Sequence, residues 1–115
     1  MAASDNANCK TKINNVTRKM PGVTSTLSVT LKNAGLAFTK ASLDALTTGR
    51  KSAVSGVVFY FDVDSNNNIV DLIAAPYSED SSKNRTFVKI SDSSSKDYQT
   101  SDVPPCPNNC VGNLP

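Results

Sequence analysis

The chain has no histidine and no tryptophan, and only three cysteines in 115 residues. Without histidine there is no ordinary Ser-His-Asp or Cys-His catalytic system, and zinc sets built on imidazole are excluded. General acid–base work would fall to Asp62, Asp64, Asp71, Glu79 or Asp80, and their spacing singles out no paired acid and base. A non-enzymatic protein without a cofactor is the expectation. Long apolar runs are missing too. Nothing approaches the roughly 20 consecutive apolar residues of a spanning helix, so no membrane insertion is expected. Apolar residues are scarce as well, at 38%. The core they can build is small, and it gains from a disulfide, a ligand or a partner subunit.

The one long apolar stretch is residues 54–75, VSGVVFYFDVDSNNNIVDLIAA. Val57, Val58, Phe59, Tyr60, Phe61 and Val63 are β-branched or aromatic and suit a pleated strand. Asp64, Ser65, Asn66 and Asn67 then interrupt the run with side chains that bond their own backbone. The stretch reads as a β-hairpin at the centre of a small sheet. A four-residue loop at 64–67 sets Phe61 opposite Val70, Phe59 opposite Leu72 and Tyr60 across from Asp71. Pro76 ends the second strand, because proline cannot donate to a ladder.

Before the hairpin, residues 23–33 alternate apolar and polar, as a half-exposed strand does. Thr39 can cap a short helix over residues 40–48, with Leu43 and Leu46 inward and Gly49 at the C′ position. After it, residues 77–84 read as a loop and residues 85–90, RTFVKI, as a last strand. Residues 91–102 are polar and carry no assigned element. The ends are polar: residues 1–21 read as a basic solvated arm, with a short helix through Ile13, Val16 and Met20 as the alternative. Three segments result: an arm at 1–21, a folded β-rich core at 22–90 and a Pro- and Cys-containing tail at 91–115. The expected fold is α+β, mainly β: a small, mostly antiparallel sheet of about four strands with one short helix. An all-β sandwich or roll is the alternative.

Three groups of residues are candidates for chemistry. Asp62, Asp64, Asn66 and Asn68 place oxygens at alternate positions, like the start of a calcium loop, but the glycine and the final glutamate of such a loop are absent. A hairpin turn explains the same residues better. Cys9, Cys106 and Cys110 lie outside the expected core and fit a disulfide better than a zinc site. Any one pair leaves a third thiol for an intermolecular bridge, and three reduced thiols are the alternative. Lys10, Lys12, Arg18 and Lys19 make the arm basic and could meet a subunit or nucleic acid, although no aromatic accompanies them.

Charge is unevenly spread. Residues 1–51 hold eight Lys and Arg against Asp5 and Asp44, a net of +6, and residues 52–115 hold four against eight acids, a net of −4. Opposite halves suit subunit contacts. The expected function is therefore a structural subunit that self-assembles through its tails, as a virion coat or decoration protein or an extracellular filament subunit. A monomeric binding or adaptor module, assisted by a cation, and a weak nucleic-acid binder are the alternatives. A homo-oligomer in a virion or outside the cell is favoured over a cytoplasmic protein.

Overall fold

The computed structural model describes residues 3–19, 30–31 and 35–102. Its spine is β4 (Asn68–Glu79), NIVDLIAAPYSE, rich in branched aliphatic residues. β3 (Gly56–Val63) runs antiparallel along one edge of β4, from Gly56 opposite Tyr77 to Val63 opposite Ile69. Three short strands share the other edge. β2 (Thr30–Leu31) pairs in parallel at Asn68 and Ile69. β6 (Tyr98–Thr100) pairs antiparallel at Ile73 and Ala74, and β5 (Arg85–Phe87) antiparallel at Tyr77, Ser78 and Glu79. β1 (Ala3–Ser4) lies outside β6. The fold is α+β, mainly β, around a mostly antiparallel sheet, as expected; the described residues form six strands in place of about four and two helices in place of one.

The two helices cover opposite faces. α1 (Asn6–Lys19) lays Cys9 against Ile73, Ala75 and Tyr98, with Ile13 packed beside them. Gln99 follows Tyr98 and so points to the other face. There it lines a groove together with Ser42 and Ala45 of α2 (Lys40–Thr47). Thr39 caps α2 by accepting from the Ser42 amide at 3.2 Å, and Gly49 takes the left-handed φ of 65° that suits a C′ residue. Leu46 is fully buried as expected, but Leu43 is 44% exposed. The inward stripe runs through Ser42, Ala45 and Leu46, at i, i+3 and i+4, which turns Leu43 outward.

Several expectations are corrected. The solvated arm at 1–21 is, over its described part, strand β1 and a fourteen-residue helix. Asp5 starts that helix by accepting from the Asn8 amide at 3.1 Å. Cys9 is 1% exposed, so the N-terminal segment belongs to the core it was set apart from. Residues 98–100 belong to the sheet as well. Of the strand expected at 23–33 only Thr30 and Leu31 fall among the described residues. Residues 103–115, with Cys106 and Cys110, lie outside them.

Pro76 does not end β4, which continues to Glu79. The Pro76 carbonyl accepts from the Val88 amide at 3.0 Å, so the backbone of this residue faces away from β3. Its missing N–H leaves the Val88 carbonyl without the reciprocal bond, and Arg50 donates to that carbonyl instead, at 3.3 Å. The hairpin register also differs: Phe61 faces Leu72, Phe59 faces Ala74, and Tyr60 faces Ile73. The loop closes from Asp64 to Asn68, and Val70 is left over as a bulge between the Asp62–Asp71 and Val63–Ile69 pairs. The shift is two residues from Gly56 to Asp62, so those side chains keep their expected faces; beyond the bulge it is one, which brings Ile69 opposite Val63 in place of Asp62.

A buried polar hub joins these layers. Asp97 and the Arg50 side chain are both sealed from solvent and form an ion pair at 3.6 Å. Arg50 also donates to the Ala45 carbonyl at 2.7 Å, the Asp97 carbonyl at 3.0 Å and the Val88 carbonyl at 3.3 Å. The Asp97 carboxylate accepts from the Ile90 amide and from Asn6 Nδ2, each at 2.8 Å. No buried side-chain polar atom among the described residues lacks a partner. Removing one member strands a buried charge, which costs about 3–5 kcal/mol. Asp97→Ala should lose that much in urea unfolding followed by circular dichroism. Asn6→Ala, which leaves the ion pair intact, should lose only about 1–3 kcal/mol. An Asp97→Ala loss no larger than that of Asn6→Ala would show the hub to be incidental.

Candidate functional site

The acidic loop is a turn. Asp64 Oδ1 accepts from the amides of Asn66 and Asn68, both at 2.9 Å, and the Asn67 amide returns to the Asp64 carbonyl at 3.1 Å. Asn67 holds a φ of 62°, which asparagine tolerates. Asp62, the first member of the supposed cation set, turns to α1 and accepts from Lys12 Nζ at 3.0 Å. It sits opposite Asp71, and Lys12 offsets that like-charge pairing. Asp71 in turn accepts from the Leu72 amide at 2.7 Å and the Ser101 amide at 3.3 Å. Among the described residues no three His, Cys, Asp or Glu side chains gather as metal ligands.

The same turn recurs between β4 and β5. Asp80 Oδ1 accepts from the Ser82 and Asn84 amides at 2.9 Å, the Lys83 amide donates to the Asp80 carbonyl at 3.1 Å, and Lys83 has a φ of 69°. DSNNN and DSSKN are therefore one device used twice. The shared spacing, Asp first and Asn fifth, was visible in the sequence and went unread. The Asn84 and Ser82 amides hold the Asp80 carboxyl below the usual range.

Of the basic candidates, Lys10 and Lys12 do not share a patch. Lys12 is engaged by Asp62, while Lys10, two positions earlier, emerges on another side of α1. Arg18 and Lys19 lie in the last turn of the helix. Lys10 stands instead at the mouth of a cleft between α1 and the sheet, about 340 Å³ in volume. Its floor is built by period-two alternation: Val58 and Tyr60 from β3, Ala75 from β4, Phe87 from β5 and Tyr98 from β6 all point to the α1 side. Phe87 and Tyr98 stack at 4.6 Å, 13° from parallel. The outer wall is Tyr77, whose ring lies where a Cβ on Gly56 would be 2.5 Å from its hydroxyl. Arg85 covers the other side of that ring, 4.5 Å from its centroid. Sequence reading missed this cleft because its lining comes from five separate elements.

On the opposite face the outer row of β3 is uncovered. Phe59 is 45% exposed and Phe61 50%, although Phe38 meets Phe59 edge-on at 5.5 Å. No family model, curated protein or solved structure matches the chain.

Cys9 has a free, buried thiol, so it is not available for the disulfide expected of it. It borders the cleft's floor through Tyr98. Burial pushes the Cys9 thiol up, against the Ser4 hydrogen bond and the Lys12 charge, and burial likewise raises the Tyr98 phenol. The folded chain therefore holds these protons when an unfolded thiol, near pH 9.0, has lost its own. Their stabilisation is full below that pH and is lost as pH rises through the folded values. With Cys106→Ser and Cys110→Ser in place, the melting temperature should fall steeply above pH 9, and Cys9→Ala should flatten the fall. Cys9 should react with a thiol reagent only on unfolding. Rapid labelling of the native chain would contradict its placement.

Proposed function

We propose that this protein is a non-enzymatic structural subunit that self-assembles, with β3 of one copy pairing to β3 of another. The open edge of β3 carries the reading. Among the described residues β3 pairs with β4 alone. Because Pro76 turns its backbone away from β3, the pair it forms with Val57 is not hydrogen-bonded, and the N–H and C=O groups of Val57, Phe59 and Phe61 point outward. An edge of eight residues with exposed aromatics is a template for strand addition.

The edge is self-complementary. An antiparallel pairing about Tyr60 sets Phe59 of each copy opposite Phe61 of the other, on the same face and in hydrogen-bonded register. The two exposed rings are then covered by a second copy of this chain. Neither the N-terminal segment nor Cys9 takes part, since both are used within the subunit. The nucleic-acid reading loses support for the same reason, as Lys12 is already held by Asp62.

Sedimentation velocity over a wide concentration range tests the proposal. The chain should associate, and Phe61→Lys should weaken association at least ten-fold, about 1.4 kcal/mol, while leaving the monomer folded. A chain that stays monomeric throughout, or a Phe61→Lys variant that associates unchanged, would overturn it.

A further inference from the structure

We propose that the cleft between α1 and the sheet is a binding site for a small monoanion with a flat apolar body, an aryl carboxylate in chemical class. The volume, about 340 Å³, falls at the small end of ligand sites. The stacked rings of Phe87 and Tyr98 give the floor one flat aromatic surface, and Ile13 and Val58 close its sides. A planar body fills such a slot with offset ring contacts.

The charge argument is independent of the shape. Lys10 and Arg85 approach the mouth from α1 and β5, and no carboxylate lines the cleft among the described residues. Lys10 makes no hydrogen bond or ion pair within that part of the chain. Arg85 is tethered but not saturated. Its Nε reaches Glu79 at 3.4 Å and its plane lies on Tyr77, which leaves the terminal nitrogens of the fork for a second carboxylate. Two cations, one on each lip, select an anion that spans them. Two charges are too few for a nucleic-acid backbone, and the slot is too short for a helix. Gly56 is part of the construction: any side chain there displaces Tyr77 and with it the platform for Arg85. The site faces α1, so it stands or falls separately from pairing at the Phe59 and Phe61 face.

The test is a titration of the full, isotopically labelled chain with naphthoate and, separately, with neutral naphthalenemethanol, read by amide chemical shifts. Naphthoate should shift Ile13, Val58, Phe87 and Tyr98 and bind at least ten-fold more tightly than the neutral probe, the preference shrinking with added salt. Lys10→Gln should remove most of that preference without weakening the neutral probe. Because Lys10 is exposed and makes no hydrogen bond or ion pair in the described chain, this variant should keep the fold, which its unliganded spectrum verifies. Arg85→Gln should act in the same direction. Equal affinity for the two probes, shifts confined to Phe59 and Phe61, or no binding of naphthoate up to its solubility would each overturn the proposal.

Discussion

The Arg50–Asp97 pair is the contact on which the rest of the structure depends. It joins four pieces of chain that share no ladder: the start of α1 through Asn6, the end of α2 through the Ala45 carbonyl, and residues 88–90 and 97 through their backbones. Burial lowers the guanidinium's pKa, and the Asp97 charge opposes that shift. Replacing such a pair by apolar side chains is often neutral or stabilising, so its worth is not raw stability. Its effect here is positional. Residues 88–97 carry little apolar surface, and the hub gives that stretch one route across the end of the sheet.

From that anchor α1 is placed by two further contacts. Asn6 exchanges two hydrogen bonds with Asp97, accepting from its amide at 2.9 Å and donating to its carboxylate at 2.8 Å. A turn and a half later Lys12 reaches Asp62 on β3. Between them Cys9 and Ile13, one helical turn apart, lie on Tyr98 and Ile73. Two polar pins and one short apolar stripe therefore seat a helix whose sequence is mostly Asn, Lys and Thr. Such a helix has too little apolar surface to dock by burial alone, and the gap it leaves over the sheet is the cleft.

What was legible in the sequence follows from range. Local signals read true: the Thr39 cap, the Gly49 terminus, the β character of residues 56–63 and the turn chemistry at Asp64. Contacts decided far away did not. The N-terminal segment reads as a solvated arm because its partners, Asp62 and Asp97, are distant in the chain and polar. Pro76 reads as a stop because the rule against proline weighs only the lost N–H, whereas here the Pro76 carbonyl still accepts from Val88 and the distant Arg50 donates to the Val88 carbonyl in its place. The register differs by two residues because aromatic pairing ranks faces, which a two-residue shift leaves unchanged, and because the bulge at Val70 has no local signal. The cleft has no linear signature: its lining is spread from Lys10 to Tyr98 and meets only in the folded sheet.

β3 shows how one short strand can serve two surfaces. Its even residues, Val58 and Tyr60, face α1 and form one wall of the cleft; its odd residues, Phe59 and Phe61, face the other way along the open edge. Period two keeps the side chains apart, but the backbone is common to both. Pairing at the outer edge would fix the peptide groups of Val57, Phe59 and Phe61, and the carbonyls and amides of Val58 and Tyr60 are already held by β4. A ladder bonded on both sides twists less freely than an edge strand, so the proposed pairing would stiffen the cleft wall through the strand itself. The coupling needs no conformational change across the core. It would require only that the residue lining the cleft and the residue proposed to meet a neighbour stand next to each other in the chain, as Tyr60 and Phe61 do.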